Sequence, residues 1–250
     1  MKNEYKQELT LSQNSKGEKS LIIQSDTIRG CKNACKSCFA EKLATKSNIC
    51  FDTPVKVLKL KGKIKSNIMY RFGTAGDPAT CWNHSENLIK AKWLNEDSKN
   101  MCIITKLQSI EGFTGYFNNL QVSVDPLNKA HFFKTLRNVK ILTSKFNNLN
   151  IVLRIRSTNS NSYEVQKLQK IAIKFANLND FKVLETLMRF TSKQQLTEAS
   201  ANTTTYKWER NYYRFQQLSN LEGVKRHFIC DSKHLGCAAC NLCKNIWKTK

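Results

Sequence analysis

Three cysteines near the start of the chain have the residue type and spacing of an iron–sulfur ligand set. Cys31, Cys35 and Cys38 lie within eight residues, at the spacing C-x3-C-x2-C. A structural zinc site is closed by four protein ligands, whereas thiolates are the usual ligands of iron–sulfur clusters. Three thiolates on a cluster of four irons leave one iron open to a small molecule. The motif therefore predicts a cluster with an open site. A zinc ion completed by another Cys or His, with Cys50 as a candidate donor, is the alternative.

The elements that must position this loop form an alternation of strands and helices. Helical patterns cover Phe132–Phe146 and Val165–Phe175, and the second follows the N-capping residues of a TNSNS segment. Short, continuous apolar segments are typical of parallel strands that are buried on both faces. The order predicts an α/β fold with a parallel sheet. The six predicted strands are Ser20–Ser25, Asn67–Phe72, Met101–Thr105, Leu120–Val124, Ile151–Arg156 and Phe181–Thr186.

Two Asp-Pro turns follow predicted strands in the same way as the cysteine loop does. Asp77-Pro78 comes after the second strand and Asp125-Pro126 after the fourth. Ligands of parallel α/β sheets bind at the carboxyl ends of the strands. We therefore expect the cysteine loop and both turns to meet at one edge of the sheet.

The cysteine spacing, with Phe39 directly after it and a strand directly before it, resembles the radical S-adenosylmethionine (SAM) superfamily. The resemblance implies a partial (β/α)6 TIM-type barrel over residues 20–190, with a [4Fe–4S] cluster held by the three cysteines. It also implies that SAM binds the open iron and that flavodoxin or ferredoxin supplies the electron. Reductive cleavage of SAM to a 5′-deoxyadenosyl radical would then be followed by hydrogen abstraction from an unknown substrate. Ser37 departs from the family, which often has an aromatic residue there.

The resemblance also implies a SAM pocket. Gly73, Thr74, Ala75, Gly76 and Asp77 stand where the family often has Gly-Gly-Glu-Pro, with the carboxylate one methylene shorter. An ordinary glycine turn is the alternative for this loop.

Polar residues at later strand ends complete the predicted pocket. Ser123 and Asp125 are candidates for binding the ribose hydroxyls, and Lys106 ends the third strand. We expect one of Arg154 and Arg156 to face the pocket and bind the SAM carboxylate, and we choose Arg156 because it is nearer the strand end. A buried arginine paired with a structural aspartate is the competing interpretation.

A second group of cysteines lies near the end of the chain. Cys230, Cys237, Cys240 and Cys243 fall within fourteen residues and are sufficient to close a metal site. The successive x2 spacings favour an auxiliary iron–sulfur cluster, and structural zinc is the alternative. Either metal would stabilise a cysteine-rich, metal-bound extension over residues 191–250. The neighbouring His227 and His234 are left without a role.

Residues 206–215, with the sequence YKWERNYYRF, combine aromatic and basic side chains. Trp208, Tyr212 and Phe215 have helical spacing, which predicts a helix face that packs over the barrel. Base stacking with phosphate contacts is the alternative.

Composition limits the remaining choices. The chain has 250 residues and a net charge of +22, so contact with nucleic acid is possible. It has no apolar signal segment or membrane-spanning run, and we expect a soluble cytoplasmic protein with a flexible segment at residues 1–19. A basic, non-catalytic zinc module that binds nucleic acid is the alternative to the enzyme. A degenerate barrel with a purely structural cluster is a third possibility.

Overall fold

A parallel sheet of seven strands, curled into a half-barrel, forms the centre of this α/β protein. The computed structural model describes residues 6–9, 22–31, 33, 35, 53–60, 69–92, 101–157, 159–187, 189–190, 192–201, 204, 206–209, 212–215, 221–230 and 246–247. The helices are α1 (Trp82–Lys92), α2 (Lys129–Lys145), α3 (Tyr163–Leu178) and α4 (Lys193–Glu198), with a 3₁₀ helix at Pro78–Thr80. The strands are β1 (Lys6–Leu9), β2 (Ile22–Ser25), β3 (Ile28–Arg29), β4 (Thr53–Pro54), β5 (Val57–Leu60), β6 (Met69–Phe72), β7 (Met101–Thr105), β8 (Asn119–Val124), β9 (Asn150–Ser157), β10 (Lys182–Leu187), β11 (Arg189–Phe190), β12 (Tyr206–Glu209), β13 (Tyr212–Phe215) and β14 (His227–Cys230).

The sheet has the strand order β14-β10-β9-β8-β7-β6-β2, and every pair of neighbours is parallel. The six predicted strands are all present in it, so the predicted parallel α/β class is confirmed. The seventh strand, β14, lies in the segment that we assigned to the C-terminal extension. Its four residues, HFIC, are too short a segment to show a period in the sequence.

The two predicted helices are confirmed, and their N-caps have the expected chemistry. Asn128 Oδ1 accepts from the backbone N–H of His131 at 3.0 Å, at the start of α2. Ser162 Oγ accepts from the N–H of Val165 at 3.5 Å, at the start of α3. Each bond satisfies one of the N–H groups that a helix leaves without an internal partner.

Alternation along the strands divides the core into an outer and an inner layer. Leu120, Val122 and Val124 of β8 belong to the large apolar cluster between the sheet and the helices. The other face of the sheet lines the inside of the half-barrel, because successive side chains in a strand point to opposite faces. The floor of this inner side is a smaller apolar cluster, formed by Ile22, Met69, Cys102, Val152, Leu184 and Ile246.

The barrel floor includes a residue from the very end of the chain. Ile246 is completely buried and lies in one cluster with Ile22 of β2 and Leu184 of β10. Lys182 Nζ donates to the Ile246 carbonyl at 2.9 Å. The C-terminal tail therefore packs against strands near both edges of the curled sheet.

Residues 206–215 do not form the predicted helix. They contain β12 and β13, an antiparallel pair that β11 extends to three strands. Aromatic residues favour strands, and Tyr206 and Trp208 alternate with the polar Lys207 and Glu209. The two-residue period therefore overrides the helical spacing on which the prediction depended.

A short strand lies in the N-terminal segment. Within residues 1–19, predicted to be flexible, Lys6–Leu9 form β1 and pair in parallel with β5. The ladder of backbone hydrogen bonds orders a segment that has little apolar content of its own. No helix among the described residues is long and apolar enough to cross a bilayer.

Candidate functional site

One cavity at the carboxyl edge of the sheet brings together most of the residues selected from the sequence. It lies where β2, β6, β7, β8 and β9 end, which is the edge that the Asp-Pro turns predicted. The predicted juxtaposition of the cysteine loop and the strand ends is therefore present in the fold. The cavity is lined by Cys31, Cys35, Gly73, Thr74, Ala75, Gly76, Asp77, Ile104, Thr105, Lys106, Ser123, Arg154 and Arg156.

The cysteine loop is held against the loop that follows β6. Gly30 and Gly76 form a parallel β-bridge, and Asn33 Nδ2 donates to Asp77 Oδ2 at 2.9 Å. Cys35 is buried and Cys31 is half-buried, and both line the cavity. The third predicted ligand, Cys38, lies outside the described residues.

Asp77 is the centre of this connection. Its Oδ1 accepts from the N–H of Ala79 at 3.0 Å and from Thr105 Oγ1 at 2.6 Å. Its Oδ2 accepts from Asn33 and from the N–H of Lys106, each at 2.9 Å. A carboxylate has about four acceptor positions, so protein donors fill those of Asp77. Asp77 therefore joins three loops, and no acceptor position remains for the amino group of a ligand.

Asp26 is a second buried carboxylate at this edge, and it was not among the residues selected from the sequence. Its Oδ1 accepts from the N–H groups of Ala75 at 2.8 Å and Gly76 at 3.2 Å. Burial raises the pKa of Asp26, although these backbone bonds act in the opposite direction. Burial likewise raises the pKa of Asp77 against its hydrogen bonds from Thr105 and the backbone. The available signal was the position of Asp26, directly after a predicted strand.

Neighbouring backbone atoms leave no room for a side chain at either glycine of the loop. A Cβ atom on Gly73, whose φ is +88°, would lie 2.0 Å from the Ile104 carbonyl oxygen. A Cβ atom on Gly76 would lie 1.7 Å from the Ile28 carbonyl oxygen. The glycines therefore allow the loop after β6 to lie against the backbone of β3 and of β7.

Asp125 anchors a charged group on the opposite side of the cavity. Lys106 Nζ lies 2.7 Å and Arg156 Nη1 3.8 Å from Asp125 Oδ2. Burial would raise the pKa of Asp125, but the two cations outweigh burial and hold this pKa below its usual value. Asp125 is therefore an ionised partner of two cations, the buried Lys106 and the half-buried Arg156.

Both arginines of β9 line the cavity, so our expectation that only one of them faces it was wrong. Arg154 and Arg156 are two residues apart, and residues at that spacing share a face of a strand. Arg154 Nη1 donates to Ser123 Oγ at 3.4 Å, and Arg156 pairs with Asp125. The cavity thus has three cationic side chains on its wall, including Lys106, and Asp125 already neutralises part of this charge.

Gln121 is a buried polar residue that the sequence analysis did not select. It lies on the same face of β8 as Ser123, one pleat closer to the barrel floor, and its register partner Ile104 lines the cavity. It is completely buried, and neither its amide oxygen nor its amide nitrogen has a hydrogen-bond partner among the described residues. An unsatisfied buried amide costs about 1–3 kcal/mol per group. The available signal was a glutamine in the middle of an otherwise buried strand.

The second predicted metal site is only partly described. Cys230 ends β14, is half-buried and packs against the apolar floor of the barrel. Cys237, Cys240 and Cys243 lie outside the described residues. Where the chain is described, no three His, Cys, Asp or Glu side chains converge in a manner that would hold a metal ion. His227 bonds to the buried Glu185 through Nε2 at 2.8 Å.

No protein-family model, curated protein or solved structure matches this chain. The function must therefore be inferred from the chemistry of its own residues. At the cavity, that chemistry consists of two thiols, three cations and an ionised carboxylate beneath a rigid glycine loop.

Proposed function

We propose that this chain is a radical SAM enzyme, with Cys31, Cys35 and Cys38 as the ligands of a [4Fe–4S] cluster. When bound, the cluster and SAM supply reductive cleavage to a 5′-deoxyadenosyl radical, which abstracts a hydrogen atom from the substrate. The observation that carries the proposal is the shared cavity of Cys31, Cys35, the loop after β6 and the cationic ends of β7 and β9.

The donor set fits this cofactor in its chemistry. Two thiols of a C-x3-C-x2-C loop line one cavity, and thiolates are the preferred ligands of iron–sulfur clusters. Lys106, Arg154 and Arg156 give the wall a positive charge that complements an anionic, thiolate-ligated cluster. Asn33 and the Gly30–Gly76 bridge restrain the loop that carries the thiols.

The contacts of Asp77 and Asp125 indicate roles that differ from those implied by the resemblance to radical SAM enzymes. Asp77 is a positioning residue, because protein donors occupy its acceptor positions. We propose that backbone groups of Thr74 and Ala75 contact the SAM amino end in place of the Asp77 carboxylate. Asp125 orients Lys106 and Arg156, and Ser123 remains the candidate for a ribose hydroxyl.

Arg154 and Arg156 are the residues that bind the carboxylate of SAM in this proposal. Guanidinium groups bind carboxylates through two parallel N–H donors, and the two arginines lie on one face of β9. Arg156 is held by Asp125 and Arg154 by Ser123, so both are restrained before a ligand arrives. Such restraint reduces the entropy that binding must overcome.

The remaining parts of the proposal concern the whole chain. The half-barrel is the partial TIM-type barrel of a radical SAM enzyme, and flavodoxin or ferredoxin donates the electron. Cys230, Cys237, Cys240 and Cys243 hold a second metal, either an auxiliary iron–sulfur cluster or zinc. We propose that the buried amide of Gln121, beneath the cavity, forms a hydrogen bond with a polar group of the bound substrate.

The test is anaerobic reconstitution with iron and sulfide, followed by reduction with dithionite in the presence of SAM. We expect the protein to bind iron and sulfide and to form 5′-deoxyadenosine. Cys35→Ala removes one of the three thiolates and should abolish this product. Chromatography with mass detection measures it.

Cys81→Ala is the matched control, since Cys81 is exposed and stands apart from both cysteine groups. It should form 5′-deoxyadenosine at the wild-type rate. Stoichiometric zinc without sulfide would overturn the proposal in favour of a non-catalytic zinc module. Equal product from Cys35→Ala and wild-type protein would also contradict it.

A further inference from the structure

The interior of the half-barrel has a polar layer between its apolar floor and the cavity. Met69 of β6 belongs to the floor, and Arg71 lies two residues closer to the carboxyl edge on the same face of the strand. Gln24 of β2 is the register partner of Arg71 and shares this face with it. Gln121 of β8 faces the same interior, one pleat below the cavity wall. Polar side chains of three strands therefore lie beneath the cavity.

Packing alone does not account for this layer. Barrels of parallel strands usually fill their interior with branched apolar side chains. Here Arg71 is only 6% exposed and Gln121 is completely buried. The amide of Gln121 has no hydrogen-bond partner among the described residues, which destabilises the chain. Apolar side chains would fill the same space without this penalty, so the binding of a ligand explains the layer better than packing does.

The inner face of the sheet is also cationic. Alternation along the strands places Arg71, Arg154 and Arg156 on this face. Glu185 is the one acidic residue in the seven strands as the structure describes them. It lies on the outer face of the sheet, because its neighbour Leu184 belongs to the floor on the inner face. A negatively charged ligand is therefore favoured inside the half-barrel.

Arg71 is distinct from the arginines that we assign to the carboxylate of SAM. Arg154 and Arg156 belong to β9, three strands away from β6 in the sheet. Neighbouring strands are about 5 Å apart, so about 15 Å along the curled sheet separates Arg71 from these two residues. Arg154 and Arg156 line the cavity, whereas Arg71 lies below it. One carboxylate does not span this distance, so the position of Arg71 indicates a second anionic group.

Arg71 and Gln121 are placed to share one ligand. Their strands, β6 and β8, flank β7 and are about 10 Å apart. Because the sheet is curled, side chains on its inner face converge, and an arginine and a glutamine together span this distance through one bound anion. A guanidinium binds such a group through charge-assisted hydrogen bonds, and the amide N–H of Gln121 adds a further donor.

The burial of Arg71 limits the size of this ligand. A side chain that is 6% exposed inside a concave sheet is not accessible to the surface of a folded partner or to a nucleic-acid duplex. Small molecules, by contrast, bind in concave sites where a few polar groups fix their orientation. The ligand is therefore a small molecule that carries a negative charge.

We propose that the substrate of this enzyme is a small acid whose anionic group, a carboxylate or a phosphate, binds Arg71 and Gln121 inside the half-barrel. The rest of the molecule extends from this anchor toward the cavity. The assignment of the small acid as the substrate rests on the proposed SAM chemistry, whereas the anion site itself does not.

Equilibrium dialysis of the full chain against radiolabelled phosphate and, in a second arm, radiolabelled succinate tests the anion site. We expect saturable binding of at least one probe, and the probe that binds more tightly identifies the group as a phosphate or a carboxylate. Arg71→Met removes the guanidinium and should weaken the binding of that probe by about 10- to 150-fold, as the loss of hydrogen bonds to a charged group does. Arg71→Lys keeps the charge and should retain part of the affinity.

Two variants control for the position of the charge. Arg137→Met is the same substitution at an exposed site on α2, and it should bind the probe as wild type does. Arg156→Met removes an arginine that we assign to SAM and should likewise leave the affinity for the probe unchanged. An equal loss in Arg71→Met and Arg137→Met would reduce the effect to net charge and overturn the anion site. An equal loss in Arg71→Met and Arg156→Met would also overturn it, because the probe would then occupy the site of the SAM carboxylate.

Gln121 provides a second test, which does not depend on whether Arg71→Met folds. Gln121→Met keeps the length of the side chain and removes the amide, so it should weaken the binding of the probe by about 2- to 10-fold. The same variant should unfold at a higher urea concentration than wild type, because it removes an unsatisfied buried amide. A variant that binds the probe as wild type does, or that unfolds at a lower urea concentration, would contradict the proposed role of Gln121.

Probe binding and the formation of 5′-deoxyadenosine separate the anion site from the SAM chemistry. If neither probe binds through Arg71, the anion site is wrong even where wild-type protein forms 5′-deoxyadenosine. If a probe binds through Arg71 and no 5′-deoxyadenosine forms, the anion site is confirmed and the proposed SAM chemistry is wrong.

Discussion

Asp125 and Lys106 illustrate how a buried ion pair is maintained at the carboxyl edge of the sheet. Their side chains are 3% and 10% exposed, and the two charged atoms are 2.7 Å apart. Removing one partner of such a pair leaves a buried charge without compensation, which costs about 3–5 kcal/mol. The pair therefore stabilises the wall of the cavity and also contributes to the charge of that wall.

The depressed pKa of Asp125 makes a prediction about acid stability. Because the folded chain binds this proton less tightly than the unfolded chain, the pair stabilises the fold above the usual carboxyl pKa of 3.8, and this stabilisation is lost as the pH falls below that value. Urea unfolding at pH 7 and at about pH 3 measures the loss. Asp125→Asn should be less stable than wild type at pH 7, and the difference should shrink at the lower pH.

The double variant Asp125→Asn/Lys106→Met is the control for this prediction. It removes both charges, so it should recover part of the stability that Asp125→Asn loses at pH 7. A difference between Asp125→Asn and wild type that stays constant with pH would contradict the assigned ionisation state.

The sequence identified some of these residues and missed others for definite physical reasons. Asp125 and Asp77 were found because an Asp-Pro turn after a strand is a local signal. Asn33 and Asp26 act through partners more than 40 residues away, and no local pattern encodes such contacts. Arg154 was rejected only because the two-residue period of β9 was misapplied.

At the scale of elements, the loop after β6 depends on the close approach of two neighbouring strand ends. Gly73 combines a positive φ of +88° with a Cβ position 2.0 Å from the Ile104 carbonyl oxygen. Gly223 has a similar φ of +75°, but no atom of the described residues lies within 4 Å of its Cβ position. Comparing alanine substitutions at the two glycines therefore distinguishes the free-energy cost of the left-handed backbone conformation from the cost of steric crowding.

We predict that Gly73→Ala destabilises the protein more than Gly223→Ala. The left-handed backbone costs an alanine about 1–2 kcal/mol at either site. Crowding against β7 should add about 1–3 kcal/mol at Gly73 alone. Urea unfolding of the two variants measures the difference, and equal destabilisation would show that the loop after β6 moves away from β7 without cost.

The strands and helices of the sheet were predictable, whereas the small antiparallel sheet was not. Buried parallel strands such as Met101–Thr105 are continuous apolar segments, and this signal is strong over five residues. In residues 206–215 the aromatic residues satisfy a helical and a strand period at once. Pairing with β11, which is distant in sequence, decides between them, and a single segment does not contain that information.

At the scale of the whole molecule, the half-barrel is completed from its C-terminal end. The strand β14 extends the sheet beside β10, and Ile246 belongs to the same apolar floor as Ile22 and Leu184. Neither feature was predicted, because each is a short segment whose burial depends on partners far away in the chain. The extension is therefore part of the barrel's packing.

We predict that Ile246→Ala destabilises the fold by about 2–5 kcal/mol, the usual cost of a cavity left by a buried isoleucine. Leu178→Ala is the control, because Leu178 at the end of α3 is 74% exposed and should cost less than about 0.5 kcal/mol. Thermal unfolding compares the two variants. A similar, small effect for both would mean that the tail does not support the barrel.

Ile22 and Ile246 share one apolar cluster although more than 200 residues separate them in the sequence. Closing so long a loop costs entropy before the burial of Ile246 can offset it, so this part of the floor should form late in folding. The Ile246→Ala variant should accordingly unfold faster than wild type and refold at nearly the same rate. Stopped-flow kinetics measure both rates, and a refolding rate that falls as much as the unfolding rate rises would place Ile246 in the folding nucleus instead.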